Sequence, residues 1–188
     1  MSTVALTYGR FNPPTIAHAK LFNELYDYSI WYKCDSTIFV SHSQDKKKNP
    51  LSIDRKLYYL NSFFPHLKFI PTTKESPTIF NVLTKLNKTY SDIVLFVGSD
   101  RYDAFEQDLN YYNNNLYYFN SIKLITIGDI RDDNSSDIIK SCSGTLVRNL
   151  AKLKDQSSFN QYLPYANNDL HNELFNELAQ KHLEQVLK

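Results

Sequence analysis

The sequence predicts an α/β fold, a parallel sheet of about five strands with helices on both faces and a helical extension at the C-terminus. Three observations predict it. Short runs of strand formers alternate with segments of helical apolar spacing along the chain. The first run ends in glycine and is followed at once by a helix signal. The run 93–97 is near-continuously apolar, as a strand buried on both faces must be.

Residues 3–8 form the first strand, closed by Gly9. Pro13 and Pro14 then mark a turn, and Ile16, Ala19, Leu21, Phe22 and Leu25 recur at helical spacing in a segment running to residue 28. Residues 37–40 read as the second strand, followed by a polar, lysine-rich loop through Pro50. Ser52 is placed to N-cap a helix carrying Ile53, Leu57, Tyr58, Leu60 and Phe64. Residues 67–70 are the third strand, and Ser76 and Pro77 read as the cap and first position of a helix through Leu86. Residues 93–97 and 122–127 give the fourth and fifth strands. Ser143 or Gly144 caps a helix through Leu150. Leu170, Leu174, Leu178, Leu183 and Val186 mark a closing helix over 168–188, with Glu173 and Glu177 on its solvated outer face. Residues 111–118, rich in tyrosine and asparagine, read as the most mobile loop. No repeat or linker divides the chain, so we expect one α/β domain over 1–165 and a helix over 166–188 packed on it.

The 188 residues suffice for one well-buried domain. With 21 basic and 20 acidic side chains the net charge is +1, so no global field draws nucleic acid or a membrane, and neither is expected as a partner. No stretch approaches the length of a membrane span, and no charged region followed by an apolar run marks a secretory signal. Cys34 and Cys142 match no metal-ligand spacing and read as free thiols in a reducing compartment. The expected location is cytoplasmic. Any affinity for anions has to be local.

In parallel sheets ligands bind beyond the carboxyl ends of the strands, at the topological switch point. Gly9, Gly98 and the loop 41–50 all lie at such ends. The first helix starts just after a glycine turn, so its unpaired amides and positive dipole end are expected to face a pocket and favour phosphate. His18 sits near its first turn; taken alone it reads as an ordinary helix histidine. Toward the other end, Thr145 and Arg148 share one face of a helix that Ser143 or Gly144 caps. Hydroxyls, amides and a guanidinium fork suit phosphate oxygens. Alone, this segment reads equally as a plain capped helix with a surface arginine.

Together the two segments resemble the nucleotidyltransferase superfamily, the adenylyl- and cytidylyltransferases related to class I aminoacyl-tRNA synthetases. The first motif of that family, G-x-F-x-P-x-[HT]-x-G-H, is met by Gly9, Phe11, Pro13, Thr15 and His18. The second, S-G-T-x-x-R, is met by Ser143, Gly144, Thr145 and Arg148. The resemblance implies a Rossmann-like fold and a transfer of a nucleoside monophosphate from a nucleoside triphosphate to a small phosphorylated acceptor. AMP moving from ATP to an acceptor such as nicotinamide mononucleotide, with loss of pyrophosphate, fits better than a cytidylyl transfer. In that reading His18, Thr15 and Arg148 are catalytic, and Gly9, Arg10, Phe11, Asn12, Ser143, Gly144, Thr145, Lys46 and Asp100 bind nucleotide. Lys46 reads equally as one of three solvated loop lysines, and Asp100 as a turn-stabilising carboxylate. Mg²⁺ is expected on the triphosphate, with no dedicated metal cluster in the sequence.

One residue departs from the family pattern. Ala17 stands where the motif has glycine before its last histidine, which brings a methyl group toward the base or ribose. Segments 41–52 and 97–105 resemble the nucleotidyltransferase-like proteins of tailed bacteriophages. That narrower likeness brings an alternative: a binding or virion-associated module, placed in the infected host cytoplasm or the virion. Homo-oligomerisation is left open.

Overall fold

A computed structural model of the chain describes residues 2–128 and 135–186, with the side chains of 100, 185 and 186 outside the description. Five strands form one sheet: β1 (Thr3–Gly9), β2 (Asp35–Val40), β3 (Phe69–Pro71), β4 (Asp92–Gly98) and β5 (Ser121–Ile127). Their spatial order is β3-β2-β1-β4-β5 and every pair is parallel. The chain therefore steps outward twice from β1 and then returns to its other side. The reversal puts the topological switch point between the carboxyl ends of β1 and β4, where Gly9 and Gly98 stand.

The helices are α1 (Ile16–Tyr32), α2 (Ile53–Phe63), α3 (Ile79–Leu86), α4 (Tyr102–Tyr112), α5 (Ile138–Ser141), α6 (Gly144–Lys152), α7 (Gln156–Gln161) and α8 (Asn168–Val186). Period-2 alternation sorts the strand residues between the two sheet faces. Ala5, Ile38, Val40, Val94 and Phe96 pack with Phe22 and Leu25 of α1, Leu60 of α2, Val147 of α6 and Leu174 of α8. Val4, Leu6, Ile93, Leu95 and Val97 pack on the other face with Val82 and Leu83 of α3 and Leu109 of α4. The expected α/β architecture with helices on both faces is the one observed.

Several expected boundaries move, each for a local reason. α1 runs on to Tyr32 and is closed by Lys33 in the left-handed conformation, φ 50°. α3 starts at Ile79 instead of at Ser76 and Pro77, because Thr78 and Asn81 form a reciprocal cap. Asn81 N–H donates to Thr78 Oγ1 at 3.3 Å, and Thr78 N–H donates back to Asn81 Oδ1 at 3.2 Å. α4 follows a 3-10 turn, Ser99–Arg101, that directly extends β4. The stretch expected to be the most mobile loop begins with the last two residues of α4 and continues as a bonded turn. Asn113 Nδ2 donates to Phe119 O, Phe119 N–H donates to Asn113 Oδ1, and Tyr117 is buried.

Glu173 and Glu177 also correct an expectation, since they do not simply face solvent. One turn apart on α8, they meet Arg55 of α2 at 2.5 Å and 2.8 Å. Tyr58 and Tyr59 donate their hydroxyls to the same two carboxylates, and both tyrosine rings lie against the guanidinium. The Arg55 hydrogen bond holds the Glu173 carboxyl below its ordinary range. Glu177→Ala is expected to lower the urea-unfolding free energy by about 1–2 kcal/mol, a charge-assisted pair discounted for partial exposure. An unchanged unfolding midpoint would show that the latch contributes nothing.

Candidate functional site

A cavity of about 400 Å³ opens at the switch point, lined by residues of both motifs and by the ends of β1, β4 and β5. Its floor begins where β1 ends. Phe11 takes φ 45°, and this folds its buried ring back over Gly9. A Cβ on Gly9 would meet Phe11 Cε1 and Cζ at 2.7 Å, so only glycine fits under that ring. The ring also packs edge-on against His18, with centroids 5.1 Å apart.

Asn12, also buried and followed by a cis bond to Pro13, ties this turn to the loop after β2. Its Nδ2 donates to Leu51 O at 3.1 Å and to Asn49 Oδ1, and its Oδ1 accepts from Leu51 N–H at 3.3 Å.

Thr15 is the N-cap of α1 and His18 its third residue, in the position a capping box normally gives to Glu or Gln. Thr15 N–H donates to His18 Nδ1 at 3.1 Å, and Thr15 Oγ1 lies 3.0 Å from the same nitrogen. An Nδ1 that accepts leaves the proton of the neutral ring on Nε2. The α1 amides, however, are less free than its start after a glycine turn implies. His18 N–H is capped by Thr15 Oγ1, and Ile16 N–H donates to Tyr162 O at 2.9 Å.

α6 supplies the better anion terminus. Ser143 Oγ caps Leu146 N–H at 3.0 Å, while Gly144 and Thr145 N–H take no partner among the described residues. Arg148 then joins the two motifs across 136 positions of sequence. Its Nη1 donates to Asn12 O at 2.6 Å and its Nη2 to Thr145 Oγ1 at 2.9 Å. Burial, with Arg10 nearby, lowers its pKa from the ordinary value, yet a guanidinium keeps its charge. Gly144 lies close against this link: a Cβ there would sit 3.2 Å from Arg148 Nη1 and 3.3 Å from Asn12 O.

The charge around the cavity is far from the near-neutral average of the chain. Arg10, Lys20, Lys48, Arg101, Lys140 and Arg148 line it against the one carboxylate of Asp137, among the described residues. Such a wall selects a polyanion. No group of three or more His, Cys, Asp or Glu able to hold a metal ion occurs among the described residues.

Of the residues expected from sequence, Gly9, Arg10, Phe11, Asn12, Thr15, His18, Ser143, Gly144, Thr145 and Arg148 all line this cavity, as does Ala17. Of the three loop lysines, Lys48 reaches the lining, whereas Lys46 is exposed and outside it. Asp100 lies in the 3-10 turn at the end of β4, and its side chain falls outside the described residues. Sequence reasoning missed Lys20, Arg101 and Lys140 in the lining, and Asn49 and Lys56 behind it. Only Lys56 left a signal: a lysine on the helix face shared by Tyr59, Leu60 and Phe63. No described helix is long and apolar enough to cross a membrane.

No protein-family model matches the sequence, and no curated protein matches it. Solved structures do share the fold. The chain is similar to Plasmodium falciparum nicotinic acid mononucleotide adenylyltransferase complexed with NaAD, with TM-score 0.63 and 14% identity over 98% of each chain. It is also similar to a bifunctional NMN adenylyltransferase/ADP ribose pyrophosphatase from Francisella tularensis, with TM-score 0.63 and 13% identity. That match covers 100% of this chain and 54% of the other. A third similarity is to Thermotoga maritima TmcAL bound with alpha-thio ATP, with TM-score 0.53 and 13% identity over 96% of this chain and 56% of that one. These likenesses show a shared Rossmann-like α/β fold.

Proposed function

We propose that the chain is an adenylyltransferase that moves AMP from ATP to a small phosphorylated acceptor of the nicotinate or nicotinamide mononucleotide type. The observation that carries this is Arg148, which bridges Asn12 O and Thr145 Oγ1 and so fastens both motifs around one cationic cavity at the switch point. An acceptor phosphate oxygen attacks the α-phosphorus, the bond from that phosphorus to the bridging oxygen breaks, and pyrophosphate leaves in line. Little covalent help is required; positioning and charge stabilisation are. Arg148, Ser143, Gly144 and Thr145 take the departing β- and γ-phosphates. His18, protonated on Nε2, donates to the α-phosphate oxygens as charge builds, and Thr15 fixes its ring. Gly9, Arg10, Phe11 and Asn12 shape the nucleotide side of the site. A Mg²⁺ ion carried by the triphosphate would neutralise part of its charge.

The structural neighbours named for NMN and nicotinic acid mononucleotide chemistry support this choice of acceptor. The likeness of 41–52 and 97–105 to phage-encoded proteins supports a phage origin and action in the host cytoplasm. The test is pyrophosphate release with ATP or CTP against nicotinate mononucleotide, nicotinamide mononucleotide and other phosphorylated acceptors. Turnover is expected with ATP and a pyridine mononucleotide. No turnover with any pair would end the enzymatic reading in favour of a binding module.

A further inference from the structure

α2 carries a lysine where its neighbours are core. Lys56 is 0% exposed and shares a helix face with Tyr59, Leu60 and Phe63. It makes no ion pair among the described residues, unlike its neighbour Arg55, which pairs with Glu173 and Glu177. Instead its Nζ donates to Ser41 O at 2.5 Å, Ser43 O at 2.9 Å and Asn49 Oδ1 at 3.4 Å. An ammonium has three protons, and all three acceptors belong to the loop after β2. A buried charge without an ion pair is costly, and here three hydrogen bonds to one loop offset that cost.

The bonds continue from that loop into the cavity. Asn49 Nδ2 donates to Ser43 O and, at 2.8 Å, to Ser43 Oγ. Asn49 Oδ1 also accepts from Asn12 Nδ2, and Asn12 O accepts from Arg148. In the same loop, Asp45 Oδ1 accepts from the Lys47 and Lys48 amides at 2.9 Å and 2.6 Å, a turn that brings Lys48 to the lining. Lys56 thus stands behind two of the cations that line the cavity, touching neither.

We propose that Lys56 is a positioning residue that fixes the loop over 41–51 in the form presenting Lys48, and through Asn49 and Asn12 also Arg148, to a polyphosphate in the cavity. This rests on the phosphate-binding half of the function proposed above. Burial pushes the Lys56 amine down to about 8, with Arg10 of the turn after β1 adding to the effect and Asp45 of the loop opposing it. The three hydrogen bonds to the loop are what hold the ammonium there.

The test is calorimetric binding of inorganic tripolyphosphate and of Mg-ATP to wild type, Lys56→Met and Lys56→Arg, with Asn49→Ala as a second break in the same chain of bonds. Lys56→Met and Asn49→Ala are each expected to weaken tripolyphosphate binding by about ten- to a hundredfold, the loss of one or two charge-assisted hydrogen bonds. Lys56→Arg, which keeps donors facing the loop, is expected to bind within about threefold of wild type. A Lys56→Met protein that binds within about twofold of wild type overturns the proposal, as does a Lys56→Arg protein no better than Lys56→Met. Should Lys56→Met fail to fold, Asn49→Ala decides by the same criterion. Tripolyphosphate carries neither base nor acceptor. A wild type that binds it and forms no adenylylated product ends the adenylyl-transfer reading and leaves this one standing; a wild type that does not bind it ends both.

Discussion

His18→Ala is expected to lower kcat by about a hundred- to a thousandfold with little change in KM, the usual effect of removing one donor aimed at charge that develops only in the transition state. Thr15 N–H and Oγ1 both face Nδ1, so the neutral imidazole carries its proton on Nε2 and acts as a donor. Phe11 holds the ring edge-on at 5.1 Å and Phe22 stacks behind it at 6.3 Å, so the donor is set before substrate arrives. The substitution also removes the acceptor for Thr15 N–H in the capping box. That loss costs about 0.5–1 kcal/mol of stability, far too little to unfold the chain. His18→Asn separates the two roles, since its amide oxygen can still accept from Thr15 N–H while its donor sits elsewhere. Steady-state pyrophosphate release on all three proteins, with urea unfolding beside it, checks the point. A His18→Ala protein with kcat within about threefold of wild type would remove the histidine from the chemistry.

What the sequence could show follows from the range over which each signal acts. Strands were legible because parallel strands buried on both faces read as apolar runs, and residues 93–97 lie inside β4. The two motifs were legible because each is contiguous, and the cap at Ser143 and the helix behind it depend on residues three or four positions apart. Contacts across long stretches of chain left no comparable trace. Nothing local says that Arg148 will donate to Asn12 O, or that Glu173 and Glu177 will turn inward to Arg55. The amide of Ile16 reads as free for a ligand because its acceptor, Tyr162 O, lies just after α7, far from it in sequence. Lys48 and Lys46 are indistinguishable as letters. The Asp45 turn that separates them is a matter of side-chain bonding to backbone amides.

Phe22→Ala is expected to cost about 3–5 kcal/mol of stability and to damage the site as well, which sets it apart from other core truncations. Phe22 is 0% exposed and meets Phe11, Phe64 and Phe69 edge-on at 5.0, 5.2 and 5.6 Å. Each such aromatic pair adds about 0.5–1.5 kcal/mol beyond its buried area, so the void left behind forfeits both. Its position, one turn after His18 on α1, decides the functional consequence. Phe11 keeps a left-handed backbone that a bulky residue rarely adopts, and its ring is held by Phe22 on one side and His18 on another. With Phe22 gone the ring can drop into the void, the turn from Gly9 to Asn12 relaxes, and the acceptor for Arg148 moves with it. Leu83→Ala is the control: it is equally buried but lies in the cluster on the opposite face of the sheet. Both variants are expected to lose stability by urea unfolding, by about 2–5 kcal/mol. Measured at a temperature where each is folded, only Phe22→Ala should weaken tripolyphosphate binding and pyrophosphate release. Equal losses of binding in the two variants would mean that the site senses only global stability, and that the aromatic cluster under the first motif has no separate hold on it.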